Sequence, residues 1–315
     1  MKKIVAPDGV LLNDARRARL AAHGDLSVHA QRPSGREELL QRLAGAHIAL
    51  INEAPMGGDL LRALPGLEMI SLWSAGYNHV DLRTARDLGI TVCHAPGCSA
   101  TAIAEHTLAV AVYFTRRLKE ADRHVRAGRY AWETFVDPEL RSQTFGVIGF
   151  GRVGARVAEY AGLLGCRVLV HTRRPSPDRA AGLKVTFVDL DTLLRESDIL
   201  SIHTALTPET EGLIGPSAFR QMVRRPILIN TARGRVVDQD ALLQALRSGQ
   251  IRAAALDVLR DEPPDPADPL LQMENVLFTP HSAGNSPQAF ECLSETCVRN
   301  VEAYLAGRPQ HVVTE

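Results

Sequence analysis

Short apolar runs alternate with amphipathic stretches along most of this chain. Residues Ile48–Ile51, 67–72 and 90–92 read as strands in the first third, and Met1–Ala6 as a first strand before them. Further strands are predicted at 145–149, 167–171, 198–203, 226–231, 252–257 and 275–279. Helical stretches fall between them, over 36–43, 82–88, 152–164, 189–196, 216–222 and 238–248. A long apolar helix is expected over about 101–118, with Ser99 as its cap, and a final helix over about 287–306 ending at Gly307. Strand and helix in regular alternation argue for an α/β fold with parallel sheets. The Pro-rich run 261–266 is a loop.

One run adds chemistry to this pattern. Gly149-Phe150-Gly151-Arg152-Val153-Gly154 follows the predicted strand Phe145-Gly146-Val147-Ile148 and opens a predicted helix. In that setting G-x-G-x-x-G is a dinucleotide-binding fingerprint. Gly149 permits the tight turn, Gly151 admits a pyrophosphate to the backbone, and Gly154 lets helix and strand pack closely. The helix N-terminus then presents N–H groups and a positive dipole end to the phosphates. The run lies near the middle of the chain, so residues 1 to about 98 build something other than a first Rossmann strand. A chain that builds one α/β unit, inserts a Rossmann unit and then returns would place a cleft between them, the default ligand site.

Composition excludes more than it suggests. Lys+Arg and Asp+Glu both number 36 in 315 residues, so no basic excess points to nucleic acid or an anionic membrane. No apolar stretch approaches the roughly 18 residues of a transmembrane helix, and no signal peptide is expected. The five cysteines, Cys93, Cys98, Cys166, Cys292 and Cys297, fit no zinc spacing, and no metal site is expected. All five read as reduced thiols of a cytoplasmic protein.

Downstream of the glycines, three predicted strands end in chemically capable residues: Asn230-Thr231-Ala232-Arg233-Gly234, then Leu256-Asp257-Val258 leading to Glu262, then Thr279-Pro280-His281-Ser282-Ala283-Gly284. An Arg, a carboxylate and a His at successive strand ends could converge beside a bound dinucleotide. Together with Ser74-Ala75-Gly76-Tyr77-Asn78-His79-Val80-Asp81, Ala104-Glu105-His106 and the 203–210 segment His-Thr-Ala-Leu-Thr-Pro-Glu-Thr, these segments resemble the D-isomer-specific 2-hydroxyacid dehydrogenase family over most of the chain. The resemblance implies two Rossmann-like, doubly wound parallel-sheet domains. The coenzyme domain, about 99–283, would be inserted into a discontinuous substrate domain, about 1–98 and 284–315. It also implies a homodimer built on the coenzyme domain, with Tyr130 and Trp132 as arm or interface residues.

The implied catalytic set is Arg233, Glu262 and His281. Arg233 can hold a 2-oxo acid by its carboxylate and polarise the carbonyl. Protonated His281 can donate to the carbonyl oxygen as hydride arrives, and Glu262 favours the charged imidazole. The backbone of Ser74, Ala75 and Gly76 is expected to receive the substrate carboxylate. Thr231, Asp257, Gly284 and His203 are expected to line the coenzyme, with Asp257 on the nicotinamide amide. His106 reads as structural. An acid at 262 favours 2-oxo acid reduction, since the related formate dehydrogenases place Gln there. Ala205 departs from the family's usual Pro.

The cofactor preference follows from one position. An NAD site needs Asp or Glu at the end of its second strand for the ribose 2′-OH. In the family that the chain resembles, that acid lies eighteen residues past the third glycine; here that position holds Thr172, followed by Arg173 and Arg174. A carboxylate would repel a 2′-phosphate, whereas arginine pairs with it. NADP(H) is therefore expected in preference to NAD(H), with a small 2-oxo acid such as glyoxylate or hydroxypyruvate as substrate. The alternatives are a phosphite or bulkier 2-oxo acid dehydrogenase on the same scaffold, and a non-enzymatic NAD(P)H-sensing protein.

Overall fold

A computed structural model describes residues 1–313. The chain divides into two units, one of residues 1–99 and 286–315, the other of residues 100–285. In the first, β1 (Lys2–Ala6), β2 (Gly24–Val28), β3 (Ile48–Ile51), β4 (Met69–Leu72) and β5 (Thr91–Cys93) form a parallel sheet in the order β2-β1-β3-β4-β5. Every residue of β3 and β4 is buried. One face of the sheet packs on Leu39, Leu43, Leu60 and Leu61. The other packs on Leu293, Cys297, Val298 and Val301 of the helix Pro287–Leu305. Helices therefore cover both faces, as the fully buried central strands β3 and β4 require.

The second unit holds β6 (Thr144–Ile148), β7 (Arg167–His171), β8 (Val185–Phe187), β9 (Ile199–Ile202), β10 (Ile227–Asn230), β11 (Ala253–Leu256) and β12 (Val276–Phe278). All its pairings are parallel, in the order β12-β11-β10-β9-β6-β7-β8. The strand order reverses at β6, so the glycine run that follows Ile148 stands at the topological switch point, where open α/β sheets bind ligands. The helix Arg152–Leu163 buries Val157, Ala158 and Ala161 in a cluster shared with Ala104, Leu108 and Ala111 of the helix Ala100–Thr115. Small side chains on both helices permit that close packing.

Three features depart from the sequence reading. β2 and β8 were not anticipated: both are edge strands, and Asp25, Ser27 and Thr186 dilute their apolar signal. The helix expected to reach about 118 stops at Thr115; Arg117 adopts φ 43°, and a separate helix Leu118–Arg126 follows that buries none of its residues. The expectation of five reduced thiols is corrected. Cys98 and Cys292 form a disulfide with Cα atoms 5.4 Å apart, while Cys93, Cys166 and Cys297 are free and buried. The partners lie 194 residues apart, joined only when the chain re-enters the first unit, so spacing could not announce the bond. Among the described residues no helix is long and apolar enough to cross a membrane, and no group of three His, Cys, Asp or Glu could hold a metal ion.

Candidate active site

β10, β11 and β12 are neighbours in the sheet, and each delivers one candidate group from its carboxyl end. At the end of β10 the buried Asn230 turns its amide back on the chain. Its Oδ1 accepts from the Ala232 N–H (3.0 Å) and its Nδ2 donates to the Arg233 carbonyl (3.0 Å). This side-chain clamp replaces the ladder bonds the strand has just given up. It fixes the backbone from which Arg233 projects. Burial lowers the Arg233 guanidinium from its usual range, and the charge of Glu262 acts the other way.

β11 ends in Leu256, and the next residue, Asp257, is 4 % exposed. Its carboxylate accepts from Thr279 Oγ1 (2.6 Å), the Ser282 N–H (2.8 Å) and the Ala283 N–H (3.0 Å). The Asp257 carbonyl accepts from the His281 N–H (2.9 Å). Asp257 thus organises the whole turn after β12. That turn needs holding, because His281 sits at φ 52°, in the left-handed region that only a few per cent of non-glycine residues occupy.

His281 Nδ1 meets Glu262 Oε2 at 2.8 Å, and Glu262 Oε1 accepts from the Leu259 N–H at 2.9 Å. With Nδ1 on a carboxylate, Nε2 is the ring atom left for proton transfer. The Glu262 hydrogen bond raises the His281 pKa above the ordinary imidazole value, against burial and the charge of Arg233, which lower it. Burial works to raise the Glu262 carboxyl, but the bonds from His281 and Leu259 outweigh it and hold the pKa below the usual carboxylate range. Both side chains are near half exposed, 48 % and 40 %, so solvent screens part of this coupling.

The fingerprint has the shape its sequence demands. Gly149 has φ 91°, and a Cβ there would stand 2.5 Å from the His203 carbonyl oxygen. A Cβ on Gly154 would stand 2.0 Å from the Gly149 oxygen, whereas one on Gly151 would meet nothing within 4 Å. The constraint at Gly149 and Gly154 is therefore the protein's own, and Gly151 faces open room. The helix behind it begins without a side-chain cap, leaving Arg152 and Val153 in a first turn whose N–H groups are free to take an anion. These features fit a dinucleotide pyrophosphate.

Thr172, Arg173 and Arg174 follow β7 directly, and β7 is stitched to the fingerprint by the Gly149 N–H on the His171 carbonyl (2.8 Å). Arg173 faces Glu209 at 4.0 Å. His203 contacts Ser201 Oγ (2.7 Å) and Thr231 Oγ1 (3.5 Å), and burial pushes its pKa down to about 3, so it stays neutral. Gly284 lies in the turn closed by the Asn285 N–H on the Ser282 carbonyl. In the other unit, the Ser74 hydroxyl donates to the Gly76 carbonyl (2.7 Å), and His94 Nδ1 lies 2.9 Å from the Ala75 carbonyl. Sequence reasoning missed Thr279, Asn230 and the bond from Arg179 to the Phe150 carbonyl. For Asn230 and Thr279 the sequence offered only a polar residue at a strand end, and for Arg179 it offered none.

Residues 108–283 match the profile of the D-isomer specific 2-hydroxyacid dehydrogenase, NAD binding domain. The chain is 38 % identical over 292 residues to a glyoxylate reductase of Thermofilum pendens, covering 90 % of this chain and 86 % of that one. Among solved structures, an acyclic imino acid reductase in complex with NADPH and D-Arg superposes with a TM-score of 0.91 at 28 % identity, covering 99 % of this chain and 100 % of that one. A D-lactate dehydrogenase of Aquifex aeolicus, complexed with NAD and lactic acid, superposes with a TM-score of 0.86 at 30 % identity, covering 97 % and 96 %. The Rossmann sheet and these likenesses define a nicotinamide-dependent oxidoreductase. The chain belongs to the D-isomer specific 2-hydroxyacid dehydrogenase family.

Proposed function

We propose that this protein reduces a small 2-oxo acid of the glyoxylate or hydroxypyruvate class to the D-2-hydroxy acid, with NADPH preferred to NADH. The observation that carries the reading is the His281–Glu262 pair at 2.8 Å on the strand ends next to Arg233. The coenzyme, when bound, supplies the hydride. Arg233 holds the substrate carboxylate through its planar fork and draws charge toward the carbonyl oxygen. His281 gives the Nε2 proton to that oxygen, and Glu262 stabilises the imidazolium that must be present beforehand. In the reverse direction neutral His281 takes the proton back. The backbone of Ser74, Ala75 and Gly76 receives the substrate carboxylate in the same reading. Gly149, Gly151, Arg152, Val153 and Gly154 cradle the pyrophosphate, Thr231, His203 and Gly284 line the coenzyme, and Asp257 is assigned to its amide.

The NADP(H) preference rests on Thr172, Arg173 and Arg174 standing where an acid would hold a free ribose hydroxyl. A homodimer is part of the same reading. It is supported by apolar side chains of the second unit that face solvent, among them Val125, Tyr130, Trp132 and Val136. Steady-state kinetics on glyoxylate, hydroxypyruvate, pyruvate and bulkier 2-oxo acids with both coenzymes test the proposal. Turnover of glyoxylate or hydroxypyruvate with a higher kcat/KM for NADPH is expected, and no turnover of any 2-oxo acid would end it. Arg173→Ala with Arg174→Ala should weaken NADPH far more than NADH; equal losses would refute the 2′-phosphate assignment. A second reading, reduction of a C=N bond, draws on the likeness to the imino acid reductase. It predicts that 2-oxo acids turn over only when an amine is supplied.

A further inference from the structure

The segment after β7 is pinned to the fingerprint at two places. At its start the His171 carbonyl accepts from the Gly149 N–H at 2.8 Å. Further along, Arg179 Nη1 donates to the Phe150 carbonyl at 2.7 Å. Residues 172–178 therefore form a loop whose two ends are both tied to Gly149-Phe150. Behind Arg179 the chain makes a helical turn, with the Ala180 N–H on the Ser176 carbonyl. Ala180 and Leu183 then pack on the core cluster that contains Phe150. The Arg179 side chain is exposed, and its guanidinium is tied to the Phe150 carbonyl, the residue preceding Gly151.

We propose that Arg179 is a third cation at this loop, alongside Arg173 and Arg174, and that it is a specificity-determining residue for the phosphorylated ribose. The proposal rests on the NADP(H) reading above. A guanidinium carries five N–H donors, and the Phe150 carbonyl uses one of them. Two acids neighbour the loop. Glu209 faces Arg173 at 4.0 Å and neutralises part of its charge. Asp178 is exposed and forms no ion pair with Arg179 among the described residues. Arg179 is thus the cation that combines a fixed position with uncommitted donors. A phosphate monoester brings about −1.5 to −2 charges and three acceptor oxygens, whereas a free 2′-hydroxyl brings no charge. A cation at this point separates the two.

The test compares wild type, Arg179→Gln and Arg179→Ala. The Gln variant removes the charge and, because its amide ends two bonds short of Nη1, loosens the Phe150 bond, while keeping a polar side chain. Binding of adenosine 2′,5′-bisphosphate, 5′-AMP, NADPH and NADH is measured by titration. Losing a charge-assisted bond to phosphate weakens the two 2′-phosphorylated ligands about 10- to 100-fold. The loss for 5′-AMP and NADH stays within about threefold, the scale of a screened surface charge. Equal losses for all four ligands would give Arg179 a pyrophosphate or loop-holding role and overturn the inference, as would no loss for any. If wild type binds the bisphosphate no more tightly than 5′-AMP, the NADP(H) reading itself falls and takes this inference with it.

Discussion

Replacing Asp257 by alanine separates two jobs that a carboxylate at this point could have. The side chain accepts three hydrogen bonds, at 2.6, 2.8 and 3.0 Å, from Thr279, Ser282 and Ala283. Bonds to a charged acceptor contribute about 1.5–3 kcal/mol each. Two of the donors are backbone N–H groups, and Asp257 and Ala283 are both 4 % exposed, so the donors gain few replacement partners. Water entering the vacated space recovers part of the loss, which leaves an expected destabilisation of about 3–5 kcal/mol. For a unit spanning residues 100–285 this corresponds to a fall in Tm of about 6–20 °C. The turn is also relieved of the φ 52° conformation at His281, so kcat should fall by about two orders of magnitude or more even with saturating coenzyme. The assay is thermal unfolding of the coenzyme-free protein together with kcat and coenzyme KM. A residue that only contacts the nicotinamide amide would leave the coenzyme-free Tm unchanged and raise coenzyme KM. That outcome would refute the argument that Asp257 builds the His281 turn.

Two further outcomes follow. In the proposed mechanism reduction uses protonated His281, so kcat/KM for the 2-oxo acid should fall as pH rises through the raised His281 pKa. Glu262→Gln removes the leading cause of that shift, so the limb should move to lower pH, as should the rising limb of the oxidation; a pH–rate profile with an unmoved limb would detach Glu262 from His281. Alkylation of denatured, unreduced protein should label three cysteines by mass, Cys93, Cys166 and Cys297, and reduction should expose Cys98 and Cys292 as well. Five labelled thiols before reduction would remove the disulfide.

The strands of the second unit were legible because five of them, β6 and β7 and β9 to β11, are largely buried apolar runs flanked by turn residues. β8, a three-residue edge strand with Thr186 exposed, carries no such signal. The candidate groups were legible by type and position, since Arg233, Glu262 and His281 each follow a recognisable strand end. Their supports were not. Asp257 draws its partners from backbone N–H groups of the turn after the next strand, and backbone donors look alike in every sequence. Asn230 and Thr279 belong to the same category: common turn residues whose partners exist only once β10, β11 and β12 lie side by side. The left-handed backbone of His281 was equally silent, because histidine carries no marker comparable to glycine.

The adjacency of those three strands has a mechanical side. Parallel neighbours joined by a continuous ladder shear little against each other, so a distortion of the sheet carries Arg233, Glu262 and His281 along together as a tripod. In the proposed mechanism, proton-transfer geometry is then insensitive to bending modes of the scaffold and sensitive to whatever loosens a single leg. The soft leg is the one that reaches Glu262 through the loop following β11, since it stands furthest from its strand. Variation in rate among close variants should track that loop far more than the sheet beneath it.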